Sequence, residues 1–150
     1  MNITMYTDGS SIGNPGQGGY GVVLIAGQHR KELSQGYRLT TNNRMELMAV
    51  IAGLEALKIP QSMVTVYTDS QYVVNSVEKK WLLDWEKKNF AGKKNADLWR
   101  RFLKIYRLHN VSFKWIKGHD GNCENERCDS LAVSAAQSLR LLDDTGYFVD

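Results

Sequence analysis

"MYTDGSSIGNPGQGGYG", residues 5–21, runs from a strand-like apolar stretch into an aspartate and then into repeated glycines. "VYTDSQYVV", residues 66–74, ends in the same way much farther along the chain. In both, Tyr-Thr-Asp closes a run rich in β-formers and gives way to small polar residues, the pattern of a strand reaching its end. The repeat is too short for a duplicated domain. It points instead to two strands, each delivering one carboxylate to a common place.

Working outward, residues 2–7 read as the first strand, and "GYGVVLIAG" and "KELSQGYRL" as two more, joined by short turns into an antiparallel meander. A helix is predicted over residues 43–58, with Asn43 placed to cap it, Glu46 at the capping-box spacing and Pro60 just past its end. Residues 63–68 form a β-branched strand, residues 70–88 read as helical, and a loop surrounds Gly92. A further helix over 97–109, the strand "VSFKWI" and a final helix from "ENERCDSLAVSAAQSLRLL" complete the chain. The expected fold is α/β, a five-stranded mixed sheet (three-strand antiparallel meander plus two parallel strands) flanked by helices, all in a single domain spanning residues 1–150. A right-handed crossover through the first helix lays the 63–68 strand parallel to the first strand. Asp8 and Asp69 then emerge together at the carboxyl edge of the sheet, where open α/β folds place their sites.

Composition narrows the class. The chain has 150 residues, 43% hydrophobic, enough for one compact core and too few for two ordinary domains. The longest apolar run, "LMAVIAGLEAL", contains Glu55 and is too short to cross a membrane. The opening "MNITMYTD" is no basic-then-apolar leader, so a soluble, cytoplasmic monomer is expected. Two cysteines, Cys123 and Cys128, make no disulfide framework, and their spacing with only His119 nearby is a poor zinc site. Net charge is +3, yet residues 79–107 hold ten Lys/Arg against three acids. Trp81, Trp85, Phe90 and Trp99 interleave with those cations. A solvated helical face would account for the charges alone; lysines alternating with flat rings fit a nucleic-acid surface better.

The acidic residues have ordinary readings as well as chemical ones. Asp8 could form a turn, Asp69 cap the following helix, Glu46 complete a capping box, and Asp129 pair with Arg127 on the surface. Convergence favours the chemical reading: four carboxylates without matching lysines suit a hard divalent cation such as Mg²⁺, with Mn²⁺ a candidate substitute. Two such ions can activate a water on one side of a phosphodiester and hold the leaving oxygen on the other. His119, in the loop "WIKGHDGN", is either a surface histidine or a proton carrier.

Three motifs, "YTDGSSIGNPGQGGYG", "TTNNRMEL" with "YTDSQYV", and "KGHDGNCENERCD", together resemble the bacterial ribonuclease HI family, in matching order and over nearly the whole chain. The resemblance implies a ribonuclease H-like fold and an endoribonuclease that cleaves the RNA strand of RNA–DNA hybrids with two metal ions, leaving 5′-phosphate and 3′-hydroxyl ends. It implies metal ligation by Asp8, Glu46, Asp69 and Asp129, with His119 as the catalytic-loop histidine. Minor-groove contacts map to Asn14, Asn42 and Gln71, a DNA-phosphate pocket to Thr41 and Asn95, and a basic protrusion to roughly residues 79–95 with Trp81 and Trp85. The chain departs from the family pattern at Leu39 and Val74, where arginines are expected, and in a shortened loop between Trp85 and Asn95.

A hybrid presents 2′-hydroxyls on one strand only, in a wide, shallow minor groove. The Gly13–Gly21 stretch is read as a loop whose main chain can approach those hydroxyls. Two competing classes are a non-catalytic hybrid or duplex-RNA binding module, which leaves the acids unexplained, and a phosphate-cradling ATPase, for which no P-loop lysine follows the glycines.

Overall fold

The computed structural model describes residues 1–148. In chain order the elements are β1 (Asn2–Ile12), β2 (Gly16–Ala26), β3 (His29–Thr40), α1 (Asn42–Glu55), β4 (Met63–Thr68), α2 (Gln71–Glu78), α3 (Trp81–Lys87), α4 (Ala96–Tyr106), β5 (Asn110–Trp115), α5 (Cys123–Ala136) and β6 (Leu141–Leu142). One mixed sheet runs in the order β5-β4-β1-β2-β3-β6. β1, β2 and β3 form the expected antiparallel meander, and β4 lies parallel to β1 with Tyr6 opposite Tyr67. β5 extends the parallel half, pairing Thr68 with Trp115.

Among the described residues the sheet has six strands rather than five. β6 is two residues long and pairs in parallel with Gly36 and Tyr37, too brief to leave a periodic signal. The 70–88 stretch is two helices, because Lys80 takes a left-handed φ of 62° that breaks the ladder between α2 and α3. The last helix stops at Ala136 instead of running to Leu142. Thr41, not Asn43, caps α1: its hydroxyl accepts from the Arg44 amide at 3.2 Å. That removes the capping-box role from Glu46 and leaves its carboxylate free for other work.

α1 is the central helix. Ten of its fourteen residues are buried, so it is apolar on nearly every side, as befits a helix held between the sheet and α4. Met5, Val22, Leu47, Ile51, Leu54, Trp99 and Phe102 are fully enclosed in the core it shares. Side chains of this size each contribute about 1.5–3 kcal/mol on burial. On the other face of the sheet α5 lies so close to β2 that a Cβ at Gly19 or Gly21 would strike its backbone. The glycine-rich stretch is thus largely strand, from Gly16 onward, and several of its glycines serve helix packing rather than an open loop.

Candidate active site

Asp8 sits inside β1 opposite Gly21, and Asp69 follows directly on β4. Because the two strands are parallel neighbours, the two Tyr-Thr-Asp ends meet. Ser70, not Asp69, caps α2 through a 3.2 Å bond from the Val73 amide, so Asp69 is not consumed as a helix cap. Glu46 reaches the same place from α1. It can do so because residue 9 is glycine: a Cβ there would collide with the main chain of Met45 and Glu46. The Gly9 amide donates both to Asp8 Oδ1, at 2.9 Å, and to Glu46 Oε1. One backbone dipole therefore bridges the two acids.

Asp8, Glu46 and Asp69 each bring a carboxylate oxygen within 4.8 Å of the others. Asp8 and Glu46 are both only 5% exposed. Burial, with the charges of Asp69 and Asp129 adding to it and the bond to Glu46 opposing it, pushes the Asp8 carboxyl up to about 7. Burial and then the Asp8 charge hold Glu46 well above the ordinary carboxylate range. Acids packed in this way without a cation resist ionisation, and a divalent ion supplies the missing charge. All the donors are hard oxygens, which fits Mg²⁺-like ions and not soft ones.

Asp129 does not join the three-acid group. It is half-buried on α5, yet near enough for its charge to act on Asp8. Its expected surface partner, Arg127, bonds Glu32 instead at 2.8 Å. His119 is exposed, with a left-handed φ of 57°, in the loop between β5 and α5. Its neighbour Gly118 packs against the Asp69 carboxylate.

The other candidates fall into two groups. Asn14 and Asn42 meet beside the cluster's helix, the Asn14 side chain accepting from the Asn42 amide at 3.1 Å, and Gln71 is exposed at the start of α2. Thr41 and Asn95 both bond Arg44, and Asn95 also donates to the Tyr72 hydroxyl at 3.0 Å. On the basic segment, Trp81 is 44% exposed with Lys79 Nζ 5.3 Å from its ring. Trp85 lies edge-on to Trp99 and carries Lys93 Nζ at 5.2 Å. A cavity of about 890 Å³, lined by residues such as Ile3, Leu24 and Ile59, lies at the opposite end of the sheet from the acids.

Sequence reasoning missed Arg44. Its guanidinium is buried and grips Asp97 (2.8 and 2.9 Å) and Asp144 (2.7 and 2.8 Å). The available hint was an arginine in the first turn of an otherwise apolar helix, a residue type rarely buried without partners.

Residues 1–137 match the RNase H family. This chain belongs to the ribonuclease H family. It is 54% identical to the ribonuclease H of Trichodesmium erythraeum over 97% of this chain and 95% of the relative. It is 58% identical to that of Desulforamulus reducens, over 93% and 90%. Among solved structures it is similar to LC9-RNase H1, described as a type 1 RNase H with the type 2 active-site motif, at 31% identity and a TM-score of 0.83, covering 91% of this chain and 72% of that one. It is also similar to LC11-RNase H1 in complex with an RNA/DNA hybrid, at 28% identity and 0.67, covering 90% and 96%. The family is one of divalent-metal-dependent hydrolases, and the acid cluster meets that requirement. Among the described residues no helix is long and apolar enough to cross a membrane.

Proposed function

We propose that this single-domain enzyme hydrolyses the RNA strand of RNA–DNA hybrids, with Asp8, Glu46, Asp69 and Asp129 holding two Mg²⁺ ions. The observation that carries the reading is three carboxylates from β1, α1 and the end of β4 converging within 4.8 Å of one another, two of them sharing the Gly9 amide. Bound there, the ions supply activation of water for in-line attack and stabilisation of the leaving oxygen. The chain's own contribution is placement. Gly9 fixes the Asp8–Glu46 pair through a shared amide, and the packed, water-poor floor makes their charges felt strongly. The solved relative bound to an RNA/DNA hybrid supports the choice of substrate.

In this reading Asn14, Asn42 and Gln71 read the minor groove, where 2′-hydroxyls mark the RNA strand. Thr41 and Asn95 hold a DNA phosphate, and Trp81 and Trp85 with the surrounding lysines grip the DNA strand. The deciding experiment presents labelled RNA alone, paired with RNA, and paired with DNA, each with and without Mg²⁺. Cleavage confined to the hybrid with metal is expected; binding without cleavage in every arm would favour the non-catalytic module.

His119 carries a proton to or from the reacting oxygens in this reading. His119→Ala is expected to lower kcat by about 10²-fold while leaving measurable turnover. Single-turnover assays on the hybrid check this, and complete inactivity would assign the histidine a more direct role. For the basic segment, hybrid affinity should fall by about 10²–10³-fold between ~50 and ~200 mM salt. Replacing exposed Lys87 and Lys88 by alanine should flatten that slope by about one to two. A slope unchanged in the double variant would place the phosphate contacts elsewhere.

A further inference from the structure

Trp115 is 47% exposed at the last position of β5, where a large apolar ring gains little from its surroundings. Its indole Nε1 donates at 3.1 Å to the main-chain oxygen of Asp69. The next amide, Ile116, donates at 2.9 Å to the oxygen of Thr68. Two residues farther, Gly118 lies against the Asp69 side chain so tightly that a Cβ would stand 2.5 Å from Oδ2. Asp69 lies outside β4, and β4–β5 pairing ends at Thr68 and Trp115, so the sheet's own ladder does not hold it. The chain leaving β5 takes over that task at three points.

From this geometry we infer that Trp115 is a positioning residue for Asp69, and that the Trp115–Gly118 segment clamps this carboxylate into the acid cluster. A ligand carboxylate must sit within a few tenths of an ångström of its place, and its rotamer is set by the backbone that carries it. The indole N–H fixes the peptide plane after Asp69, and the missing Cβ at Gly118 leaves room for the side chain. The same segment continues into His119, so the clamp also ties the position of that loop to the acid it covers. The inference rests on the metal-site reading above, and its test separates the two.

Trp115→Phe keeps a ring and loses the donor. Mg²⁺ titration of the free protein by calorimetry is expected to show affinity weakened about three- to tenfold, the effect of one hydrogen bond. On the hybrid, kcat at moderate Mg²⁺ should fall by a similar factor, KM should stay within about twofold, and added Mg²⁺ should restore kcat. Gly118→Ala, which crowds the carboxylate directly, should weaken Mg²⁺ binding further. Unchanged Mg²⁺ affinity in Trp115→Phe would overturn the inference, as would a raised KM with kcat intact, which would make the indole a substrate contact. A loss of affinity that merely tracks a lowered Tm would overturn it too. Failure of the wild-type protein to bind Mg²⁺ at all would instead count against the metal site itself.

Discussion

Asp8→Asn is expected to reduce hybrid cleavage by about a thousandfold or more while leaving hybrid affinity within a few-fold of wild type. Asp8 shares one cluster with Glu46 and Asp69, and the amide side chain keeps its shape while removing the charge a cation needs. The same substitution should make the metal-free protein more stable at neutral pH. Asp8 in the folded chain titrates near 7, above its ordinary 3.8, so its contribution to stability is fully present below about pH 4 and is lost as pH rises through 7. The metal-free wild type should therefore lose stability across that window, and Asp8→Asn should remove a loss of about 4 kcal/mol at neutral pH. Mg²⁺ should reverse the order by stabilising only the wild type, with protons released on binding as the carboxyls ionise. Denaturant melts from pH 4 to 8, with and without Mg²⁺, check the sign. Full turnover in Asp8→Asn would remove this carboxylate from the chemistry.

The two Tyr-Thr-Asp ends were readable in the sequence because strand period, crossover handedness and the carboxyl-edge rule all act over short or topologically forced distances. The β1–β4 pairing they imply is the one the fold contains. Glu46 was legible only in part. Its spacing from Asn43 suggested a cap, and what redirects it is Gly9, thirty-seven positions away, whose missing side chain admits the helix to the strand. Asp129 illustrates the limit from the other side: its place on α5 was clear, but its distance from the other acids depends on how Gly19 and Gly21 let α5 settle on β2. The break between α2 and α3 was hidden because Lys80 is no glycine, and nothing in its side chain announces a left-handed backbone. β6 and the Arg44 cluster were hidden for a common reason. Each joins segments about a hundred residues apart through contacts with no local periodicity.

Arg44→Met should destabilise the protein by about 3–5 kcal/mol at neutral pH, with Tm lowered by about 10 °C. The guanidinium is enclosed at 1% exposure and satisfies two carboxylates at once, one of them, Asp144, almost as buried. Thr40 donates to that same Asp144 carboxylate at 2.7 Å, so β3, α1, α4 and the segment after β6 are fastened at one point. Methionine can fill much of the volume, but it leaves Asp144 charged and without its cation. The cost should therefore fall in the double variant Arg44→Met with Asp144→Asn, which removes the stranded charge; equal costs would mean that packing, not charge, dominates. Acid supplies a second check. Burial works to raise Asp97, but the bonds and charge of Arg44 prevail and hold it below its ordinary value. Its share of the stability is present at neutral pH and lost as pH falls through that lowered value. Wild type and Arg44→Met should consequently converge in strongly acid solution. Activity should follow stability only in part, because the Arg44 guanidinium also anchors Asn95, whereas the Thr41 cap on the helix that carries Glu46 uses the main-chain amide and survives the substitution. At temperatures where Arg44→Met remains folded, hybrid affinity should weaken through Asn95 while Mg²⁺ binding persists, and calorimetry on the variant distinguishes the two losses.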